Sequence, residues 1–211
     1  MTDKEIFEGE DLNGDVVKFS VKTPGAEEVK KSQSVYNKAF KQALDDGALL
    51  RQKLTAYMRD QDLWDDAKQK KYEALLEEID AMEESLQKGG IRLSTAKEIA
   101  LDLRKKRETF RDLIAERNAL DSASAEGQAD NARFEELVRL CTINPENGQR
   151  YFSSEADYNE SANQPWVVVA AEKLGNAMYG LDPNYEKNLT ENKFLQEFKF
   201  VDKELRFINE D

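Results

Sequence analysis

The sequence predicts a mainly α chain of the α+β class, built on a long antiparallel helical hairpin, with additional helices and small β-hairpins near both chain ends. Three observations predict it. Between Trp64 and Leu120, apolar residues recur at steps of three and four, the stripe of a helix with one buried face. The chain has only 4 Pro and 10 Gly in 211 residues, which favours long elements with few breaks. Near each end, short runs alternate apolar and polar residues, as half-buried strands do.

The hairpin is the most regular stretch. Tyr72, Leu75, Leu76, Ile79, Met82 and Leu86 mark the first helix, and Ile99, Leu103, Phe110, Leu113 and Leu120 the second. Lys88-Gly89-Gly90 supplies the fold-back. Asp62 or Asp65 is placed to cap the first helix, which at about 22 residues reaches roughly 33 Å. Thr95 and Glu98 have capping-box spacing for the second. Leu76 and Leu103 are expected in the interface between the two helices.

Before this hairpin, Val17, Phe19 and Val21 alternate after Asn13-Gly14, a pair suited to a tight turn, so residues 6–21 are expected as a β-hairpin. Thr23-Pro24 starts a helix that turns Val29, Tyr36, Phe40, Ala43 and Leu44 inward and stops at Asp45-Asp46-Gly47. A shorter helix follows with Leu50, Leu54, Tyr57 and Met58. After the hairpin, the small, polar run Asp121 to Asp130 reads either as a linker or as the first turns of a helix. A break near 122 and a helix from about 125 to Cys141 is the preferred reading. Asn144-Pro145-Glu146-Asn147-Gly148 suits a turn between Cys141-Thr142-Ile143 and Arg150-Tyr151-Phe152. Pro165 opens a helix with Val168, Ala171, Leu174 and Met178 on one side, Asp182-Pro183 starts a short one, and Thr190-Glu191 another. Residues 198–207 alternate like two short strands. The expected divisions are 1–23 (β-hairpin), 24–121 (helical body with the long hairpin) and 122–211 (a helical module with β-hairpins).

Composition limits function more than it suggests one. The net charge of −12 disfavours non-specific binding to nucleic acid or to an anionic membrane. No apolar run approaches the roughly 18 residues of a membrane span, and Met1-Thr2-Asp3-Lys4-Glu5 lacks the apolar stretch of a signal peptide. A single Cys141 excludes an internal disulfide and fits a reducing compartment. A soluble intracellular protein is expected. The absence of His removes the commonest general base and neutral metal ligand, and one Cys excludes thiolate zinc sites.

The remaining motifs are weak. Asp11-x-Asn13-x-Asp15 starts like a calcium loop, but Val16 stands where Gly is needed and Lys22 where a bidentate Glu belongs, so a turn explains it better. Glu77, Glu78, Glu83 and Glu84 fit a solvated helix face with Lys70, Lys71 and Lys88 better than a carboxylate site. Lys105, Lys106, Arg107 and Arg111, interleaved with Glu108, Asp112 and Glu116, read as exposed helix surface making i,i+4 pairs.

The aromatics carry more information. Phe194, Phe198, Phe200 and Phe207 crowd the last 18 residues. They form a satellite core under a terminal hairpin, the simpler reading, or an edge that docks on a partner chain; if the chain is an assembly component, this segment rather than the spare face of the long helices is the expected partner surface.

Further segments are Ala43-Leu44-x-x-Gly47, the Gly89-Gly90 turn, Ala125-Glu126-Gly127-Gln128-Ala129 before Asn131-Ala132-Arg133-Phe134, Cys141-Thr142, and Glu191-Asn192-Lys193-Phe194-Leu195 leading to Phe200-Val201. Together they resemble an uncharacterised family of structural proteins from large tailed bacteriophages, including those of marine cyanobacteria. The resemblance covers most of the chain, includes no catalytic signature, and implies a virion structural or tail-assembly role. The family pattern runs on past a terminal Asn-Glu-Asp, so the resemblance supports the idea that the chain is a fragment of a longer protein.

The expectation is therefore a non-enzymatic bacteriophage structural or tail-assembly protein that acts through protein–protein contacts, with Phe194, Phe198, Phe200 and Phe207 as its partner-binding residues. No catalytic, metal or cofactor-binding residue and no cofactor is expected. The expected partners are phage structural proteins, possible further copies of the chain among them, with no nucleic acid or membrane. The expected location is the host cytoplasm during assembly, with the virion left open as a second location. Two alternatives stand beside it: an acidic phage protein that binds and inhibits or redirects a host enzyme, and, ranked last, a carboxylate-based enzyme using only carboxylates, Lys and Tyr.

Overall fold

The computed structural model describes residues 5–182 and 184–208. The first four residues, Pro183 of the expected helix start and Asn209-Glu210-Asp211 lie outside the described residues. The described residues are mainly helical with one small antiparallel sheet, of the mainly α, α+β class that the sequence predicts. Contacts divide the chain into two units that differ from the contiguous divisions expected: Met1–Arg51 with Ser122–Pro183, and Gln52–Asp121 with Asn184–Asp211. Each is a split segment closed by a later stretch of chain, a long-range pairing that sequence spacing does not encode.

In the first unit, β1 (Ile6–Glu10) and β2 (Val16–Val21) form the expected hairpin, with Phe7 opposite Phe19. Gly14 adopts φ +85° at its turn, where Asp11 Oδ1 accepts the N–H groups of Asn13 (2.8 Å) and Asp15 (2.9 Å). The calcium-like carboxylate is thus used to close the turn. Helix α1 (Ala26–Asp45) follows, and the Glu28 carboxylate reaches back to the Gly25 N–H at 3.0 Å.

Helix α1 packs along α5 (Ala125–Cys141), which starts where expected because the buried Ser124 Oγ accepts the Gly127 N–H at 2.9 Å. The buried positions on α1 are Glu28, Ser32 and Ala43, and on α5 they include Ala125, Gly127 and Ala129. Small residues contribute to this seam and allow the two backbones to approach, beside larger ones such as Tyr36, whose ring lies under the Arg133 guanidinium of α5. That corrects the expected inward face: Val29 and Leu44 are exposed.

Strand β3 (Thr142–Ile143) adds to β2, and Ile143 bridges Arg150 across the Asn144–Gly148 turn. Helix α6 (Glu155–Ser161) is capped by Ser154. Helix α7 (Pro165–Tyr179) buries Trp166, Val167, Ala170 and Leu174, while Val168 is exposed. Its inner face is therefore rotated by about one residue from the expected one. The reason is aromatic: Trp166 stacks on Phe152 with centroids 5.6 Å apart and also meets Phe19 and Tyr151. Phe19, Leu140, Phe152, Ala170 and Leu174 complete a core exposed by no more than 1% at any of the five.

The second unit holds the long hairpin. Helix α2 (Arg51–Asp60) contributes the buried Met58. Helix α3 (Asp66–Lys88) is capped by Asp65, whose Oδ1 accepts the Lys68 N–H at 2.7 Å, and ends at Gly89 with φ +66°. Helix α4 (Leu93–Asp121) starts before Thr95, which therefore lies inside the first turn and does not cap it. Ion pairs Lys68–Glu116 and Glu78–Lys106 run in opposite order along the two helices, so α3 and α4 are antiparallel. Leu75, Ile79, Leu103 and Leu113 are buried between them or against Met58 and Trp64. Leu76 is 41% exposed, which corrects its expected place in the interface: it stands about 100° around the helix from Leu75, outside the stripe. The unit closes with α8 (Tyr185–Asn188), α9 (Thr190–Glu197) and a terminal turn.

Candidate functional site

The last segment of the second unit places the four phenylalanines. Leu195 on α9 is fully buried with Ala100 and Val201, and this small core fixes the helix on α4. The chain leaves α9 through Lys199, in the left-handed region at φ +58°, and Phe200 N–H donates to the Leu195 carbonyl at 2.9 Å. The next reversal is closed by Asp202, whose Oδ1 accepts the N–H groups of Glu204 (2.8 Å) and Arg206 (2.9 Å). The expected pair of strands is a single bridge, Val201 to Phe207. Two positive-φ residues, Lys199 and Leu205, interrupt the extended backbone that a longer ladder needs.

Phe194, Phe198 and Phe200 come together: the Phe194 centroid is 4.8 Å from that of Phe198 and 6.4 Å from that of Phe200. Phe207 lies apart from them, under the Arg104 guanidinium at 5.5 Å, and Lys97 covers Phe200 at 4.5 Å. Phe194 and Phe200 pack against the small core, whereas Phe198 and Phe207 remain 45% and 42% exposed. The satellite-core reading therefore applies to Phe194 and Phe200, while Phe198 and Phe207 are left at the surface.

Beside this segment is a cavity of about 330 Å³ that the sequence reading does not reach. One wall is a stripe of α4, with Arg104, Arg107, Phe110, Arg111 and Ile114; the other is formed by Tyr185, Glu186, Leu189, Glu191, Asn192 and Leu205. Arg107 interrupts the apolar stripe one turn after Leu103 and is largely covered. It pairs with Glu83 of α3, and its Nε lies 2.7 Å from Glu191 Oε1. The second contact is an ion pair without hydrogen-bond alignment. Arg111 pairs with Glu186 at 2.9 Å between two exposed side chains. The basic cluster thus makes cross-helix pairs, and Arg107 is not the exposed surface residue expected.

Burial pushes the Glu191 carboxyl above its ordinary value, against the opposing pull of Arg107. Asn192 Nδ2 donates to the Glu186 carbonyl at 2.7 Å. The sequence signal for this cavity is a charged residue, Arg107, which like Arg117 interrupts the apolar stripe of its helix.

Of the other reactive groups, Cys141 is buried and its thiol is pushed up to about 11 by burial, so it stays protonated at neutral pH. Among the described residues, no three His, Cys, Asp or Glu are grouped to hold a metal ion, and no helix is long and apolar enough to cross a membrane. Comparison with protein-family models, curated proteins and solved structures gives no match.

Proposed function

We propose that this chain is a non-enzymatic bacteriophage structural or tail-assembly protein, working through contacts with other phage structural proteins in the host cytoplasm and in the virion. The observation that carries the reading is the division of labour among the four terminal phenylalanines. Phe194 and Phe200 anchor the segment, while Phe198 and Phe207 stay about half exposed at its surface. Both exposed rings sit beside backbone reversals tied by hydrogen bonds, so a partner meets them preorganised and little ordering entropy is lost on binding. Aromatic side chains of this kind dominate the energy of protein interfaces. The resemblance to phage structural proteins supplies the kind of partner.

The test is a Phe198→Ser, Phe207→Ser double variant used as bait for phage structural proteins, alongside mass spectrometry of purified particles. Loss of co-purification with an unchanged far-UV circular dichroism spectrum is expected. Retained co-purification, or absence of the protein from both assembly intermediates and particles, would sink the proposal.

A further inference from the structure

The sheet of the first unit has the strand order β1-β2-β3, which leaves β1 at an edge. The turn after β1 fixes which of its main-chain groups face outward. Asp11 N–H donates to the Asp15 carbonyl at 2.9 Å, so these two residues are a hydrogen-bonded pair. Bonded and non-bonded pairs alternate along an antiparallel ladder, and the register then makes Gly9–Val17 and Phe7–Phe19 the bonded ones. Ile6, Glu8 and Glu10 therefore point their N–H and carbonyl groups away from β2. The other side of β2 agrees: Lys22 N–H donates to the Cys141 carbonyl at 3.0 Å and Ser20 pairs with Ile143, so Phe19 and Val21 turn their groups toward β1. Among the described residues, no strand pairs with β1 on its outer side.

Helix α7 lies on the face that carries Phe7 and Gly9, and Ile6, Glu8 and Glu10 on the opposite face are exposed. A regular, exposed edge of this kind can accept a further strand. Side chains select which one. Glu8 and Glu10 line the edge beside the exposed Glu5, and the cross-strand neighbour Lys18, 3.3 Å from Glu8, offsets only one of these charges. A second copy of the chain fits poorly. Pairing β1 with itself about Glu8 or about Gly9 sets Glu8 opposite Glu8 or Glu10, and like charges directly opposite destabilise a ladder.

We propose that the outer edge of β1 receives an extended segment of another protein in which basic and apolar residues alternate. The basic residues stand beside Glu8 and Glu10, and the apolar ones fall on the α7 side, beside Phe7. This edge belongs to the first unit and does not depend on the exposed rings of Phe198 and Phe207.

The test titrates the full chain with the peptide acetyl-Lys-Val-Lys-Val-Lys-Val-Lys-amide and, separately, with its counterpart carrying Glu for Lys. Binding is followed by NMR on the backbone amides of β1. Saturable shifts with the basic peptide are expected. Hydrogen exchange should slow by about tenfold or more at Ile6, Glu8 and Glu10 and stay unchanged at Phe7 and Gly9, whose N–H groups already donate to β2. The acidic peptide should bind more weakly by about tenfold or more. Glu8→Lys, Glu10→Lys alters exposed side chains only, and should reverse this preference while the circular dichroism spectrum is kept. Four results would each overturn the proposal: no saturable shift with the basic peptide, no slowing at the three outward amides, a preference that Glu8→Lys, Glu10→Lys leaves unreversed, or a dimer of the chain alone in analytical ultracentrifugation that slows those same amides.

Discussion

Arg107 Nε lies 2.7 Å from Glu191 Oε1, and the Glu191 side chain is 1% exposed. The pair ties α9 to the middle of α4, with Glu83 holding the guanidinium from α3. Removing one partner of a buried pair leaves the other charge uncompensated, which costs more than the pair itself contributes. Arg107→Met, which leaves the buried Glu191 carboxylate without its cation, should therefore destabilise the second unit by roughly 3 kcal/mol, and the double change Arg107→Met, Glu191→Leu should recover most of the loss. Urea denaturation of the single and double variants checks this; equal losses in both would mean that packing, not charge, is responsible.

The helical hairpin offers a contrast between two leucines. Leu103 is fully buried and Leu76 is 41% exposed. Leu103→Ala should cost roughly 2–5 kcal/mol, and Leu76→Ala about 0.5 kcal/mol or less. Chemical denaturation of the two variants side by side is sufficient, and similar losses would place the apolar stripe of α3 on another face.

Gly9 has no unusual φ, yet a Cβ built on it would lie 2.8 Å from Trp166 Cβ and 2.9 Å from Trp166 Cα. The neighbour is helix backbone and the root of a core ring, neither of which can move cheaply. Gly9→Ala should cost about 1–3 kcal/mol by overpacking. Thermal unfolding should show a lower Tm, accompanied by a change in Trp fluorescence; a variant as stable as the parent would show that β1 is free to shift away from α7.

Glu28 predicts an acid limb. Its buried carboxylate binds Lys22 Nζ at 2.7 Å and the Gly25 N–H at 3.0 Å, and Arg150 is 3.3 Å away. The Lys22 hydrogen bond is the largest influence holding the carboxyl down to about 2, from an ordinary 4.5. A depressed acid contributes its stabilisation in full above the unfolded value and loses it as pH falls. The stability difference between parent and Glu28→Gln should thus be constant above about pH 4.5 and shrink between there and about pH 2. A difference that does not change across that window would refute the ionic role.

Cys141 is buried, with its thiol pushed up to about 11. It should resist alkylation by iodoacetamide at neutral pH in the native chain and react promptly in denaturant. Rapid native labelling would show that the end of α5 opens readily.

The sequence by itself determined most of the elements and where many of them begin, though it missed α6 and expected two strands where the terminal segment has a single bridge. Asn13-Gly14 marks the first turn, Ser124 the start of α5, Gly89-Gly90 the fold-back and Pro165 the start of α7, because turn and cap preferences act within a few residues. It also determined the poverty of reactive groups, since a chain without His and with one Cys carries that limit into any fold. What only the tertiary structure decided is which side of each helix is covered. Ser32 is buried and Val29 exposed, Val167 buried and Val168 exposed, because a close helix neighbour selects small side chains and an aromatic cluster selects one rotation. The cavity is of the same kind. Arg104 and Arg107 belong to α4, Glu191 and Asn192 to α9, and no local preference relates them; they meet because Leu195 and Val201 bury themselves against Ala100 and bring α9 onto α4.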